Sequence, residues 1–205
     1  MNHKTAVIGD IHGNISALMG LLKCVEGKYR RLVLVGDYVN RGNNSAAVLQ
    51  TLIDWAATGP ELVCIAGNHD LAFLKCLEDG DLMAFLRMGG AATINSYISA
   101  PEPDLLAQLR RSVPAQHVNF LRELRSSFVD DGLFVTHSSK RVESSYEASC
   151  FHIFGHAPQL DHTPTITHTW AAIDTGCGTF PDGRLTCLLW PSLEVIQVDS
   201  SGRHA

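Results

Sequence analysis

The sequence predicts an α/β fold. Three observations carry that expectation. Short apolar runs that end in Gly-Asp or Gly-Asn recur three times before residue 70, with helical periodicity between them. Residues 70–125 then carry apolar side chains at helical spacing almost throughout. From residue 127 onward short β-type runs return, bounded by Gly, Pro and Asp.

The elements follow in order. Residues 4–9 (TAVIGD) read as a short buried strand. Asn14 then precedes Ile15, Leu18, Leu21 and Leu22, the spacing of a helix with an Asn cap. Residues 31–37 (RLVLVGD) repeat the strand, and Val48, Leu49, Leu52, Ile53 and Trp55 mark a helix over 45–57. Residues 62–68 are the third repeat, and a further helix starts near Asp70. Strands alternating with helices predict parallel pairing with right-handed crossovers. In the middle, Gly89-Gly90 and the prolines at 101, 103 and 114 divide the helical stretch into short helices. The later strands are expected at 127–129, 133–137, 151–156, 169–175, 184–190 and 193–199, the last two as a hairpin around Pro191-Ser192. With no low-complexity tract and no clear linker, residues 1–205 are expected to form one domain.

Bulk properties narrow the class. Of 205 residues, 45% are apolar and 18% charged, the balance of a folding, soluble chain. A net charge of −5 and the lack of a long basic run argue against a nucleic-acid polymer as partner. No apolar stretch approaches the ~20 residues of a membrane span, and MNHKTAVIGD has no signal-peptide pattern. The six cysteines form no CxxC pair and are expected to be reduced thiols in a cytoplasmic protein.

Chemistry concentrates at the strand ends. The first ends in GDIHGN, with Asp10 and His12; the second in GDYVNRG, with Asp37, Asn40 and Arg41; the third in GNHD, with Asn68, His69 and Asp70. Two later strands end on His137 and His156. Ligands of open α/β sheets gather at the carboxyl ends of strands. Carboxylate, imidazole and amide oxygen together suit divalent first-row metals. Two such ions need a shared carboxylate, and Asp37, on the central repeat, is placed for it. Taken singly, a strand-Gly-Asp is a turn and a lone His is structural. His3, His117, His152, His162, His168 and His204 are read that way. The ordered series is what points to function.

GDIHGN, GDYVNRG, GNHD, His137 and FGH, in this order, resemble the metallophosphoesterase superfamily. They look most like its phosphoprotein phosphatase branch, which includes small bacterial and phage protein phosphatases and diadenosine tetraphosphate hydrolases. FLRMGGAATINSY and AIDTGCGTFPDGRLTCL extend the likeness over most of the chain. The resemblance implies two packed mixed β-sheets with helices outside. It implies that Asp10 and His12 bind one metal, that Asp37 bridges, and that Asn68, His137 and His156 bind the second. Arg41 would clamp phosphate oxygens, and His69 would face the leaving group as general acid, oriented by Asn40.

The expected activity is hydrolysis of phosphomonoesters by direct attack of a metal-bridging hydroxide, with phosphoproteins the leading substrate class. Two ions neutralise phosphate charge and bring a bridging water toward a neutral pKa. Mn²⁺ is the expected ion, with Fe or Zn as alternatives. A diadenosine tetraphosphate-type pyrophosphohydrolase is the alternative enzyme, although no pocket for a base is legible in the sequence. A weakened relative that binds phosphate or protein is the non-enzymatic alternative.

Two departures from the resembled pattern matter. Where the family has GDxVDRG, this chain has Asn40. An Asn carbonyl would still orient His69 Nδ1–H, but without a charge to hold an imidazolium, which weakens general-acid catalysis. After His137 the chain reads Ser138-Ser139-Lys140, and His156 follows only 19 positions on. The segment that carries the family's cap and second phosphate-clamping Arg is thus shortened, leaving Lys140 or Arg141 as replacements. The Ser-rich stretch 138–149 reads as a mobile loop. Asp70, where Glu is more frequent, is expected to cap or orient.

Overall fold

The computed structural model of the protein describes residues 5–140 and 149–205. Strands β1 (Thr5–Ile8), β2 (Arg31–Leu34) and β3 (Glu61–Cys64) form where the apolar runs place them. Helices α1 (Ile15–Val25) and α2 (Ser45–Thr58) connect them. The Asn14 side-chain oxygen accepts from Ala17 N at 3.0 Å and so caps α1, a contact worth about 1 kcal/mol. Five helices follow: α3 (Asn68–Asp79), α4 (Leu82–Arg87), α5 (Ala91–Tyr97), α6 (Leu105–Ser112) and α7 (Ala115–Arg122). Helix α3 starts two residues before the expected Asp70, because Asp70 reaches back and accepts from Gly67 N at 3.0 Å.

The β-rich remainder comprises β4 (Ser127–Asp130), β5 (Leu133–Thr136), β6 (Phe151–Phe154), β7 (Thr165–Ile166), β8 (Trp170–Ala172), β9 (Leu185–Trp190) and β10 (Glu194–Val198). One sheet runs β10-β9-β1-β2-β3 and the other β4-β5-β6-β8-β7. Both are mixed. In the first, β1, β2 and β3 are parallel and the β9–β10 hairpin joins antiparallel through β9. In the second, β5, β6 and β8 are parallel.

Alternation along the strands explains the layers. Val7, Val33, Val35 and Val63 face the second sheet and meet Leu133, Val135, Ile153 and Ala171. Ala6, Ile8, Leu32 and Leu34 face the other way, onto Leu18, Leu21, Leu49 and Leu52 of the helices. The central strands are buried on both faces, so they read as continuous apolar runs. Each fully buried Leu or Val adds roughly 1.5–3 kcal/mol. Register then fixes where the strands stop. Ile8, Leu34 and Cys64 lie side by side in one sheet, and Thr136, Phe154 and Ala172 in the other. Both sets of strands end level, and the polar loops leave from those ends. Among the described residues no helix is long and apolar enough to cross a membrane, and none of the six cysteines is in a disulfide.

Candidate metal centre

Asp37 is the hub of these loops. Its Oδ2 lies 3.6 Å from His12 Nε2, 3.5 Å from His137 Nε2 and 3.9 Å from His69 Nε2. Two clusters of ligand-type atoms share it: His12–Asp37–His69 and Asp37–His137–His156. Asn68 Oδ1 lies 2.9 Å from both His137 Nε2 and His156 Nδ1, within the second cluster. Asp10 belongs to neither, and its two carboxylate oxygens accept from His156 N at 3.2 Å. The sequence-predicted ligands therefore come together from both sheets, with His69 close enough to join the first cluster.

The backbone is bent to achieve this. Five of the eight non-glycine residues with positive φ among those described are His12, Asp37, Asn40, Arg41 and His156. Such conformations cost about 1–3 kcal/mol each and gather at functional sites. Two glycines make room for the acids. A Cβ on Gly67 would stand 2.1 Å from Asp37 Oδ1, and one on Gly155 would stand 1.9 Å from Asp10 Oδ1. Asp70 holds the Asp37 loop from beneath. It accepts from Asp37 N at 2.8 Å and Tyr38 N at 2.9 Å, besides Gly67 N. This is the orienting role expected of it.

Hydrogen bonds set the histidine tautomers. His12 Nδ1–H donates to Val39 O at 3.1 Å and His137 Nδ1–H to Val35 O at 3.0 Å. A carbonyl only accepts, so each ring turns an unprotonated Nε2 toward Asp37, the form a metal needs. Burial keeps the rings neutral: His12 falls well below its ordinary value, and His137 to about 4 with His156 adding to the shift. The carboxylates move the other way. Burial, then repulsion by Asp174 and Asp37, pushes Asp10 well up, and burial with Asp70 does the same to Asp37. Buried acids that repel one another, among neutral imidazoles and an amide oxygen, form a donor set that fits divalent cations.

Asp174 is a member that the sequence reading left out. It is 1% exposed, its Oδ1 accepts from Gly176 N at 3.0 Å, and its Oδ2 is buried without a hydrogen-bond partner among the described residues. Register was the available signal. Asp174 follows β8 by two residues, as His156 follows β6, and Ala172 is level with Phe154.

Asn40 lies against His69. Its amide nitrogen, not its carbonyl oxygen, lies 2.9 Å from His69 Nδ1. The same nitrogen donates to Met88 O at 3.3 Å, while Oδ1 accepts from the Thr93 hydroxyl at 2.8 Å. The Met88 carbonyl also faces the His69 ring and raises its pKa, so the Nδ1 contact fits either ring tautomer. Burial, then the Arg41 charge, lowers His69 to about 4. Arg41 itself bonds the Thr179 hydroxyl across the site. Lys140 is exposed, and Arg141 and most of the Ser-rich stretch lie outside the described residues, as does His3. His117 and His152 are structural as expected. The first lies between Tyr97 and Gln50, and the second bonds the Thr136 hydroxyl at 2.7 Å.

Residues 3–188 match the family model described as calcineurin-like phosphoesterase. A symmetrical bis(5'-nucleosyl)-tetraphosphatase of Methylobacillus flagellatus is 31% identical over 146 residues, 70% of this chain and 46% of that protein. The chain thus spans about half the length of that relative. An asymmetrical bis(5'-nucleosyl)-tetraphosphatase of Halalkalibacterium halodurans is 25% identical over 95% of this chain and 93% of its own length. Among solved structures, a candidate diadenosine tetraphosphatase superposes with a TM-score of 0.68 at 19% identity, covering 97% of this chain and 94% of its own. A cold-active protein-tyrosine phosphatase of a psychrophilic Shewanella gives 0.59 at 13% identity, covering 99% and 80%. Both superpositions show the same two-sheet fold.

Proposed function

Because the chain belongs to the calcineurin-like phosphoesterase family, and is on that ground a phosphoric ester hydrolase, we propose that it works as a dinuclear enzyme centred on Asp37. Asp10, His12 and Asp37 would hold one divalent ion, and Asp37, Asn68, His137 and His156 a second, with Mn²⁺ the first choice. The observation that carries this reading is the sharing of Asp37: one carboxylate oxygen lies within 3.9 Å of three imidazole nitrogens drawn from both sheets. Bound ions would supply charge neutralisation at the phosphorus and an activated water. Arg41 forks onto phosphate oxygens. Asp174 Oδ2, buried without a partner among the described residues, would be free to accept a hydrogen bond from a water at the centre.

His69 and Asn40 bear on the substrate. Asn40 carries no charge to hold His69 as an imidazolium, and burial lowers that ring to about 4, so His69 offers the leaving oxygen a hydrogen bond rather than a full proton. A phosphate leaving group of an anhydride departs with that help alone, whereas a serine alkoxide needs the proton. We therefore propose a nucleoside polyphosphate as substrate, a reading that the named activity of the two tetraphosphatase relatives supports. Hydrolysis of phosphoproteins, which two-sheet relatives perform, is the second reading. A phosphate- or protein-binding role without turnover is disfavoured because every expected ligand position is filled.

The test is hydrolysis of p-nitrophenyl phosphate with Mn²⁺ and with chelator, beside Asp37→Asn. Metal-dependent turnover that the variant loses is expected. Diadenosine tetraphosphate should then exceed a phosphoserine peptide in kcat/KM, and Asn40→Asp should narrow the gap. Two bound ions without turnover would sink the enzymatic reading, and a phosphopeptide preference would sink the substrate.

A further inference from the structure

The outer face of the second sheet carries a cavity of about 590 Å³, within the ~300–1,000 Å³ of small-molecule sites. Phe154 of β6 and Trp170 of β8 line it with ring centroids 5.6 Å apart and planes 33° apart. His152, on the same outer face two residues earlier, also lines the cavity; its ring packs 4.9 Å from that of Phe154 and bonds the Thr136 hydroxyl. Ala172, level with Phe154 on the neighbouring strand, leaves the floor open. Ser139, Gln159 and Thr169 bring hydroxyl and amide groups to the wall. No Lys, Arg, Asp or Glu is among the described residues that line it.

This cavity adjoins the strand ends that carry His137 and His156. Phe154 precedes His156 by two residues, Ala157 follows it directly, and Ser139 follows His137 by two. At about 3.3 Å per residue, the floor begins roughly 7 Å from the His156 backbone. That is the separation of a phosphate from what lies one sugar away. An uncharged aromatic floor with neutral donors and acceptors at its wall suits a flat heterocycle with a polar edge.

We infer that this cavity receives the nucleobase of a nucleoside polyphosphate whose phosphates lie at Asp37. The assignment rests on the reading of the Asp37 centre as a phosphoanhydride hydrolase, and it supplies the base site that the sequence does not reveal. Stacking on an aromatic side chain contributes about 1–3 kcal/mol per base, which converts to a preference of about 5- to 150-fold for a ligand with the base over one without it.

The experiment compares ADP with pyrophosphate as inhibitors of p-nitrophenyl phosphate hydrolysis by the full chain with Mn²⁺, at substrate well below KM. The ratio of the two inhibition constants is internal to each protein, so changes in basal turnover cancel. In the wild type ADP should bind about 5- to 150-fold more tightly than pyrophosphate. The ratio should fall toward one in Trp170→Ala and in Ala172→Leu, which fills the floor without removing the ring, and should persist in Trp170→Phe. Equal inhibition by ADP and pyrophosphate in the wild type would overturn the inference. So would a ratio unchanged in Ala172→Leu, which also covers the case of a Trp170→Ala protein that fails to fold. If the wild type shows no turnover, the reading of the metal centre has failed instead. The cavity is then tested directly by tryptophan fluorescence. ADP-specific quenching that Trp170→Phe abolishes supports the base site, and identical responses to ADP and pyrophosphate overturn it.

Discussion

Replacing Asp70 by Ala should cost more stability than a buried polar residue usually does, because its carboxylate serves three backbone donors at once. Oδ1 accepts from Tyr38 N at 2.9 Å, and Oδ2 accepts from Asp37 N at 2.8 Å and Gly67 N at 3.0 Å. All three lie where the residue is 1% exposed. An orphaned buried N–H costs about 1–3 kcal/mol. Water entering the space left by the carboxylate recovers part of that, so a loss of about 3–5 kcal/mol is expected, a large share of the ~5–15 kcal/mol of a typical domain. Asp70→Asn keeps an oxygen for Asp37 N and Gly67 N and turns its NH₂ against Tyr38 N. It should lose only about 1–3 kcal/mol. The assay is urea unfolding with chelator at pH 8, above the value of about 7 to which burial lifts Asp70, so that the carboxylate is the acceptor in the wild type. Both variants should also bind Mn²⁺ more weakly, since the loop they loosen carries Asp37. An Ala variant within about 1 kcal/mol of wild type, or an Asn variant as unstable as Ala, would refute the three-donor account.

Three other outcomes are expected. Gly155→Ala drives a Cβ to 1.9 Å from Asp10 Oδ1, so calorimetry should show one of the two Mn²⁺ sites, the one Asp10 would serve, losing at least about tenfold in affinity. His117 accepts from the Tyr97 hydroxyl at 2.7 Å and donates to Gln50 Oε1 at 3.0 Å, and burial lowers its pKa. The unfolded chain then binds the proton more readily. Its contribution to stability is intact above the ordinary histidine value of about 6.5 and declines as pH falls below it, so the unfolding midpoint of His117→Gln should vary less with pH than that of wild type. Chelation should lower the unfolding free energy by about 2.7 kcal/mol for each ion initially present at 100 times its Kd; equal unfolding midpoints with and without Mn²⁺ would contradict the metal-binding reading.

The parts of this molecule legible in the sequence are those set by local pattern. Asn14 before a helical repeat, the apolar runs before Asp10 and Asp37, and the Pro191 hairpin all appear where expected, because each depends on residues close in the chain. β7 escaped because Thr165 and Ile166 are too few to show a period. Asp174 escaped because its place depends on the register of β8 against β6, which no local pattern encodes. Asn40 was recognised as unusual, but the groups that surround its amide, Met88 and Thr93, lie about 50 residues away and could not be read locally. The aromatic cavity was hidden for the same reason. Phe154 and Trp170 read as ordinary core positions until β6 and β8 lie side by side.

These nonlocal features share one cause, the level endings of two sheets packed face to face. The first sheet brings Asp10, Asp37 and Asn68 to its end at successive parallel strands, each on its own loop. The second brings His137, His156 and Asp174 to the facing end in the same way. A carboxylate from one sheet can therefore lie among imidazoles from both, as Asp37 does. Outer-face residues of the second sheet that immediately precede its ligands line a cavity, with Phe154 leading to His156. The division follows from what covers each sheet. Helices α1 and α2 pack onto the outer face of the first and fill it with Leu18, Leu21, Leu49 and Leu52, whereas the second keeps Trp170 and Ala172 open beside the metal centre. Metal chemistry draws on both sheets in this arrangement, and recognition of the rest of the substrate falls to the one whose outer face is not taken up by those helices.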